Sequence, residues 1–176
     1  MSARSSASRI RTVGRLMVMQ QTTLPSPFGP IRLRADAAGL RELAFVADAE
    51  PCAAPPNGLL AEAADQLDAY FAGERIAFDL PLAPVGTPFH ERVWALVSAI
   101  GHGETATYGE LAARLGAPTA ARAVGAANGR NPIAIVIPCH RVVGARGALT
   151  DYAYGIDRKA GLLALERGAR PLPALV

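Results

Sequence analysis

The first half of the chain alternates between short apolar runs and turn-forming residues, a pattern typical of antiparallel strands. Three runs over residues 16–24, 29–35 and 40–46 are rich in aliphatic residues. Segments containing Pro, Gly or Asp at 25–30 and 36–39 separate them. We therefore expect a small antiparallel meander at the start of the fold.

A helix over residues 59–71 is predicted next. Its apolar positions recur at helical spacing before a terminating Gly73: Leu60, Ala63, Ala64, Leu67, Tyr70 and Phe71. A loop over 51–57 precedes it, and a further short strand is expected over 76–80. Residues 81–86 carry two Pro and one Gly, which indicates an interdomain linker.

After this linker the pattern becomes helical. Thr87 can cap a helix that has Pro88 at its first position. One apolar face follows, formed by Phe89, Val93, Trp94, Val97 and Ile100. The glycines at 101 and 103 end this helix, and a last helix over 158–166 places Leu162, Leu163 and Leu165 inward.

Between these helices lies a helix-turn-helix pattern. Thr107 and Glu110 have capping-box spacing at the start of a helix over 108–115. Gly-Ala-Pro then separates this helix from a second one over 120–128. In the second helix nearly all side chains are tiny, and Arg122 is the exception. Small residues let a backbone approach the minor groove of DNA closely, although an Ala-rich helix packed inside the domain gives the same pattern.

Composition narrows the class of protein. The chain has 176 residues, of which 51% are hydrophobic and 19% charged, with a net charge of +3. This indicates a globular protein, and no apolar stretch approaches the roughly 20 residues of a membrane span. The positive charge permits contact with polyanions without demonstrating it. Arg supplies nearly all of the cations, since Lys159 is the single lysine.

Cysteine and histidine usage points to a reduced, cytoplasmic protein without a metal site. Cys52 and Cys139 allow at most one disulfide, and three histidines without a CxxC motif disfavour structural zinc. Residues 1–15 are rich in Arg and Ser and resemble a transit peptide in composition. We favour a disordered extension, or a true start at Met17 or Met19.

The strongest chemical signal is the segment IVIPCHR at 135–141, which places Cys139 directly before His140. A thiol acts as a nucleophile in its thiolate form, and free Cys has a pKa of about 8.5. A neighbouring imidazole can take its proton. Since Pro138 cannot donate to a sheet, we expect a strand that ends there and holds Cys139 rigidly. A buried structural cysteine beside a chance histidine is the plainer interpretation of the pair alone.

Together these motifs resemble the O6-alkylguanine-DNA alkyltransferases, the methylated-DNA–protein-cysteine methyltransferases. The matching residues, from Phe89 to about Glu166, include TYGELAARLGAPTAARAVGAANGRNPIAIVIPCHRVVGARGALT. A pattern of Tyr152, Gly155, Lys159, a Leu pair and Glu166 follows. The N-terminal half matches only through its SPFG turn and YFAGE stretch.

The resemblance implies an α/β (α+β) fold. A small ribonuclease-H-like sheet domain, expected over 16–82, would precede a helical helix-turn-helix (winged-helix-like) DNA-binding domain over 87–170. It also implies a monomer that binds double-stranded DNA containing alkylated guanine and turns the damaged base out of the helix. The protein would then transfer the alkyl group irreversibly to its own cysteine, with no cofactor. O4-alkylthymine is a second candidate lesion.

The family pattern assigns roles to individual residues. Cys139 would be the nucleophile, and His140 would draw its proton through a water molecule. Glu166 would hold the imidazole, and Asn131 would brace the active-site turn. Tyr108 would contact a phosphate or donate to the guanine ring.

The remaining assignments concern the DNA and the pocket. Arg122 would fill the gap that the base leaves, with Ala121 and Ala123 lying against the DNA. The pocket around the flipped base would be formed by the Val142 carbonyl and by Tyr152, Ala153, Tyr154 and Gly155.

Residues 150–155 depart from the family pattern. Asp151 adds negative charge near the DNA, and Ala153 lacks the hydroxyl that some members carry. Tyr154 replaces a glycine, which predicts a narrower alkyl pocket and a resisted backbone conformation. Ala134 stands where some members have Pro, which predicts a less rigid approach to Cys139.

Two other functions stay open from sequence alone. One is a non-catalytic or weakly active alkyltransferase-like protein that binds DNA lesions. Such proteins lack the reactive cysteine, so Cys139 argues against this alternative. The other is a Cys-His hydrolase unrelated to DNA, against which the helix-turn-helix and Arg122 count.

Overall fold

The computed structural model describes residues 18–47, 56 and 58–168. Its first part is an antiparallel sheet in the order β1-β2-β3, with β1 at Gln20–Leu24, β2 at Ile31–Asp36 and β3 at Gly39–Phe45. The predicted meander is therefore confirmed. The extension over 1–15, the first residues of the predicted first strand, and Cys52 lie outside the described residues.

Helix α1, Gly58–Phe71, covers the sheet with the apolar face that the sequence predicted. The strand expected over 76–80 is wrong. Both backbone groups of Asp79 bond instead to the side chain of Gln66, with Gln66 Nε2 donating to Asp79 O at 2.9 Å and Asp79 N donating to Gln66 Oε1 at 2.9 Å. A glutamine amide thus takes the place of a neighbouring strand.

The second part of the chain is helical. It contains α2 at Pro88–Ser98, α3 at Tyr108–Arg114, α4 at Ala121–Gly129 and α5 at Ile156–Glu166. Thr107 and Glu110 form the predicted capping box of α3. With the 3₁₀ turn Pro118–Ala120, α3 and α4 make the predicted helix-turn-helix. A short parallel pair joins β4, Ala106–Thr107, to β5, Val142–Val143.

The strand predicted before Cys139 is also wrong, because the segment folds on itself. Val136 N donates to Ala134 O at 2.8 Å, and Ile137 N donates to Ile133 O at 2.9 Å. These local bonds replace a sheet ladder, and a 3₁₀ turn over Cys139–Arg141 follows. The rigidity of Cys139 therefore comes from a compact turn, not from a strand end.

The sheet and the helical part are packed together through one continuous core. The turn before β2 also lies on α5, where Arg158 Nε donates to Phe28 O at 2.6 Å. The Phe28 ring occupies the space that a side chain at Gly161 would need. Among the described segments, no helix combines the length and apolar character needed to cross a membrane.

This close approach yields a stability prediction. In Gly161→Ala the new methyl group meets the Phe28 ring, so we expect the free energy of unfolding to fall by about 1–3 kcal/mol. Gly129→Ala is the matched control, since nothing lies near its added methyl and alanine favours a helix. Urea unfolding followed by circular dichroism measures both. Equal stability of the two variants would contradict this packing.

Candidate active site

One cavity of about 680 Å³ gathers most of the predicted site residues. Its lining includes eight of them: Tyr108, Ala121, Arg122, Asn131, Cys139, Tyr152, Ala153 and Tyr154. Others lie outside the lining. Ala123 is exposed on α4, Val142 is buried in β5, and Gly155 is an exposed residue just before α5.

The Cys139 thiol lies on this cavity and is only 3% exposed. Burial raises its pKa above the ordinary value, while Asn131, Tyr152 and the charge of Lys159 act in the opposite direction. The Tyr152 hydroxyl makes no well-formed hydrogen bond, but it faces Cys139 closely enough that burial and the sulfur together raise its own pKa. The resting thiol is therefore protonated, and it would have to lose its proton before acting as a nucleophile.

His140 does not contact the neighbouring thiol directly, despite its position in the sequence. It is fully buried, with Nε2 at 2.8 Å from Glu166 Oε1 and Nδ1 without a hydrogen-bond partner. Burial lowers the pKa of His140 in spite of the carboxylate, so the ring is neutral and the contact is a hydrogen bond, not an ion pair. Because Glu166 accepts, the network assigns the proton to Nε2 and leaves Nδ1 as a free base.

Glu166 is the centre of a buried network. Arg141 donates to both oxygens of Glu166, from Nε to Oε2 at 2.9 Å and from Nη2 to Oε1 at 2.8 Å. The Tyr70 hydroxyl donates to Oε1 at 2.8 Å, and Gly103 N donates to Oε2 at 3.1 Å. Burial raises the pKa of Glu166, but the bonds from His140 and Arg141 outweigh it and hold the pKa well below its usual range.

Sequence reasoning missed Arg141 and Tyr70 as site residues. Arg141 follows His140 immediately and could have been suspected from that position. Tyr70 was predicted only as an apolar face residue of α1, and nothing in the sequence links it to a carboxylate 96 residues away. Burial of its hydroxyl beside Glu166 raises the pKa of Tyr70. The hydroxyl therefore stays protonated and donates a hydrogen bond to the carboxylate.

Two asparagines hold the backbone that carries Cys139. Asn131 Nδ2 donates to Ile137 O at 2.7 Å, and Asn131 Oδ1 accepts from Ile133 N at 3.0 Å. The bracing predicted for Asn131 is thus visible as geometry. Asn128, which sequence reasoning missed, donates from Nδ2 to Cys139 O at 3.2 Å.

The single lysine organises the opposite wall of the cavity. Lys159 is buried, and its Nζ donates to Thr150 O at 2.6 Å and to Asp151 O at 3.4 Å. The Tyr108 hydroxyl reaches Asp151 O at 3.5 Å. Burial lowers the pKa of Lys159. The loop that bears the departures from the family pattern is therefore fixed by its backbone carbonyls.

Tyr154 projects its ring between the two parts of the fold. It packs edge-on against Phe45 at 5.4 Å and Tyr152 at 5.5 Å between ring centroids, and burial raises its pKa to about 12. The prediction of a strained backbone at Tyr154 is wrong, because its φ is not positive. The positive φ angles lie at Asp151 (25°) and Gly155 (95°), so the loop bends on either side of the tyrosine and leaves it in an ordinary conformation.

The pH dependence of stability tests the Glu166 network. A carboxylate with a lowered folded pKa stabilises the fold above its unfolded pKa, near 4.5, and this contribution is lost as the pH falls toward the folded value. Glu166→Gln leaves Arg141 without its partner charge, so we expect a loss of about 3–5 kcal/mol at pH 7.

Urea unfolding at a series of pH values measures this loss, and the difference between wild type and Glu166→Gln is expected to shrink below about pH 4.5. Glu74→Gln removes an exposed carboxylate as the control. A constant difference at all pH values would contradict the assigned charge state.

Comparison with known proteins finds matches over both parts of the chain. Residues 88–168 match the DNA-binding domain model of 6-O-methylguanine DNA methyltransferase, and residues 19–84 match its ribonuclease-like domain model. The methylated-DNA–protein-cysteine methyltransferase of Methanosarcina acetivorans is 49% identical over 153 residues, covering 84% of this chain and 98% of that protein. The Mycobacterium tuberculosis protein of the same name is 50% identical over 153 residues, covering 85% and 93%.

Solved structures give the same result. The crystal structure of Mycobacterium tuberculosis O6-methylguanine methyltransferase superposes with a TM-score of 0.77 at 46% identity, covering 89% of this chain and 96% of that one. Its complex with DNA gives a TM-score of 0.77 at 48% identity, covering 88% and 95%. The chain therefore belongs to the methylated-DNA–protein-cysteine methyltransferase family.

Proposed function

We propose that this protein repairs DNA by direct reversal, moving an alkyl group from O6 of guanine to its own Cys139. One observation carries the proposal: the cavity that holds the Cys139 thiol is also lined by Arg122 on α4. The nucleophile thus faces the surface where the helix-turn-helix would meet DNA. The names of the relatives and the DNA complex of one of them support the same activity. O4-alkylthymine is the second candidate lesion.

The chemistry assigns a task to each buried group. The Cys139 proton passes to His140 Nδ1 through a bridging water, which Glu166 favours by holding Nε2. Sγ then attacks the alkyl carbon, an S–C bond forms, and the C–O6 bond breaks. The departing guanine takes up a proton at the ring from Tyr108, and the proton that His140 received from Cys139 returns through water to the Tyr108 oxygen, so that both groups end neutral. The thioether has no route back to a thiol, so each molecule reacts once and needs no cofactor.

The same cavity suits an extruded nucleotide. Turning a base out of the helix costs a few kcal/mol, and a side chain that fills the gap offsets part of this cost. The exposed Arg122 is the side chain proposed for this task, with the small neighbours Ala121 and Ala123 allowing close approach. Tyr152 supplies a stacking surface for the base.

The edge of the flipped base completes the assignment. The Ala153 N–H is proposed to donate a hydrogen bond to O6 of the guanine. The carbonyls of Cys139 and Val142 are proposed to accept from the guanine amino group, and Gly155 allows the loop to bend. Cys139 O already accepts from Asn128 Nδ2 and from Val142 N, so the guanine amino group would displace one of these donors.

Three finer points belong to the proposal. We assign residues 16–82 and 87–170 as the two domains, and the protein as a monomer. We also assign it to the cytoplasm, where a reduced Cys139 and DNA are found together.

Intact mass measures the transfer directly. After incubation with a duplex containing one O6-methylguanine, we expect one added methyl group on the Cys139 peptide, and no reaction with a second duplex. Cys139→Ala is expected to bind the duplex without a mass gain. If the wild type binds the duplex and gains no mass, the protein is a lesion-binding relative and not a transferase.

The ring of Tyr154 limits the size of the adduct. Since Phe45 and Tyr152 hold it in the cavity wall, we expect methyl transfer to be much faster than benzyl transfer. Tyr154→Gly is expected to raise the benzyl-to-methyl rate ratio by about tenfold or more, equivalent to about 1.4 kcal/mol. Tyr154→Phe keeps the ring and is expected to keep the wild-type ratio. Fast benzyl transfer by the wild type would refute the size limit.

A further inference from the structure

The outer edge of β3 is paired with two later segments of the chain. Near its start, Leu40 N donates to Pro81 O at 2.8 Å, and Ala83 N donates to Leu40 O at 2.9 Å. Residues 81–83 were predicted as a linker, and this pairing attaches them to the sheet. This first pairing does not involve the segment that carries Cys139.

The second pairing reaches the segment before the nucleophile. Leu43 N donates to Pro132 O at 2.9 Å, and Ala134 N donates to Leu43 O at 2.8 Å. We call these two bonds the β3 clamp. Leu43 and Ala134 are both fully buried, so water cannot replace a bond that is lost. Ala134 stands where some members of the family have Pro, and its N–H makes one of these bonds.

A bulge in β3 makes both pairings possible. Successive residues of a regular strand direct their N–H and C=O groups to opposite edges, so Leu40 and Leu43 would point to opposite sides. In this sheet Arg34 pairs with Glu42 and Ala35 with Leu40, which leaves Arg41 as an extra residue. With this extra residue, the N–H and C=O groups of Leu40 and Leu43 point to the same edge of β3.

The clamp holds a strained turn. Ile135 has a φ of 68° although it is β-branched and buried, and the bond from Val136 N to Ala134 O closes a three-residue turn around it. Such a conformation persists only where the surroundings determine it. Asn131 fixes the turn from the helical part, and β3 fixes it from the sheet.

The position of Cys139 depends on this turn. Pro138, with φ −79° and ψ 63°, is the centre of a second tight turn, which Cys139 N closes by donating to Ile137 O at 2.7 Å. Ile137 O also accepts from Asn131. Two consecutive turns therefore transmit the placement of Ala134 to the thiol.

We propose that the backbone of β3 positions the nucleophile: the β3 clamp holds the Ile135 turn and thereby aligns Cys139 Sγ with the alkyl carbon. This gives the N-terminal sheet a direct part in the transfer and rests on the proposed function. In-line displacement is sensitive to such alignment, because a misplacement of about 1 Å can cost about 100-fold in rate.

The test removes one backbone donor. Leu43→Pro lacks the N–H that donates to Pro132 O, and the matched Leu40→Pro, at an equally buried leucine of the same strand, lacks the N–H that donates to Pro81 O. Single-turnover methyl transfer is measured with saturating O6-methylguanine duplex, together with duplex affinity. A merely structural defect lowers the amplitude of the reaction, while misalignment lowers the rate constant of the folded molecules.

We expect Leu43→Pro to lower the rate constant by about tenfold to 100-fold, with duplex affinity unchanged. Leu40→Pro is expected to keep the wild-type rate constant. A wild-type rate constant in Leu43→Pro, or an equal loss in Leu40→Pro, would overturn the clamp. Failure of the wild type itself to methylate Cys139 would instead overturn the proposed function.

A second measurement needs no variant and decides the matter if Leu43→Pro does not fold. In wild-type protein under increasing urea, hydrogen exchange of the Leu43 and Ala134 amides is compared with the transfer rate constant. The clamp predicts that protection and rate are lost together. A rate constant that stays at its native value after these amides have lost protection would overturn it.

Discussion

A buried carboxylate with a full set of donors is the interaction on which the site depends. Glu166 binds His140, Arg141, Tyr70 and a backbone amide, and its side chain is shielded from water. A charge without these partners would be too costly to bury. With them it fixes the imidazole, keeps its free nitrogen basic and joins α1 to α5. The same network therefore stabilises the fold and sets the state of the imidazole in the proposed transfer.

The thiol shows why such a network is needed. Burial that excludes water from the cavity also raises the pKa of Cys139, which suppresses idle oxidation and alkylation of the resting protein. The cost is a nucleophile that must be deprotonated when the substrate is bound. A neutral histidine held by a carboxylate meets this need without placing a permanent positive charge beside the thiol.

The sheet contributes more than a scaffold. Phe45 of β3 supports the Tyr154 ring in the cavity wall, and Leu43 of the same strand bonds to the segment before Cys139. Alternate residues of one strand thus reach the pocket wall and the nucleophile. In the proposed reaction, the sheet therefore takes part in two properties, the size of the adduct and the alignment of the nucleophile.

The sequence by itself determined the parts of the fold that rest on local rules. The meander, α1, the capping box at Thr107 and the helix-turn-helix follow from side-chain periodicity and from caps formed within a few residues. The pairing of Cys139 with His140, and the pattern that ends at Glu166, likewise identified the family.

Only the tertiary structure decided the rest, because it depends on partners distant in the chain. The strands expected at 76–80 and before Cys139 were replaced by bonds to Gln66 and by turns that Asn131 holds. The contacts of Tyr70 and Arg141 with Glu166 exist only after packing. An apolar run shows that a segment is buried, but it does not show which backbone groups will bond to it.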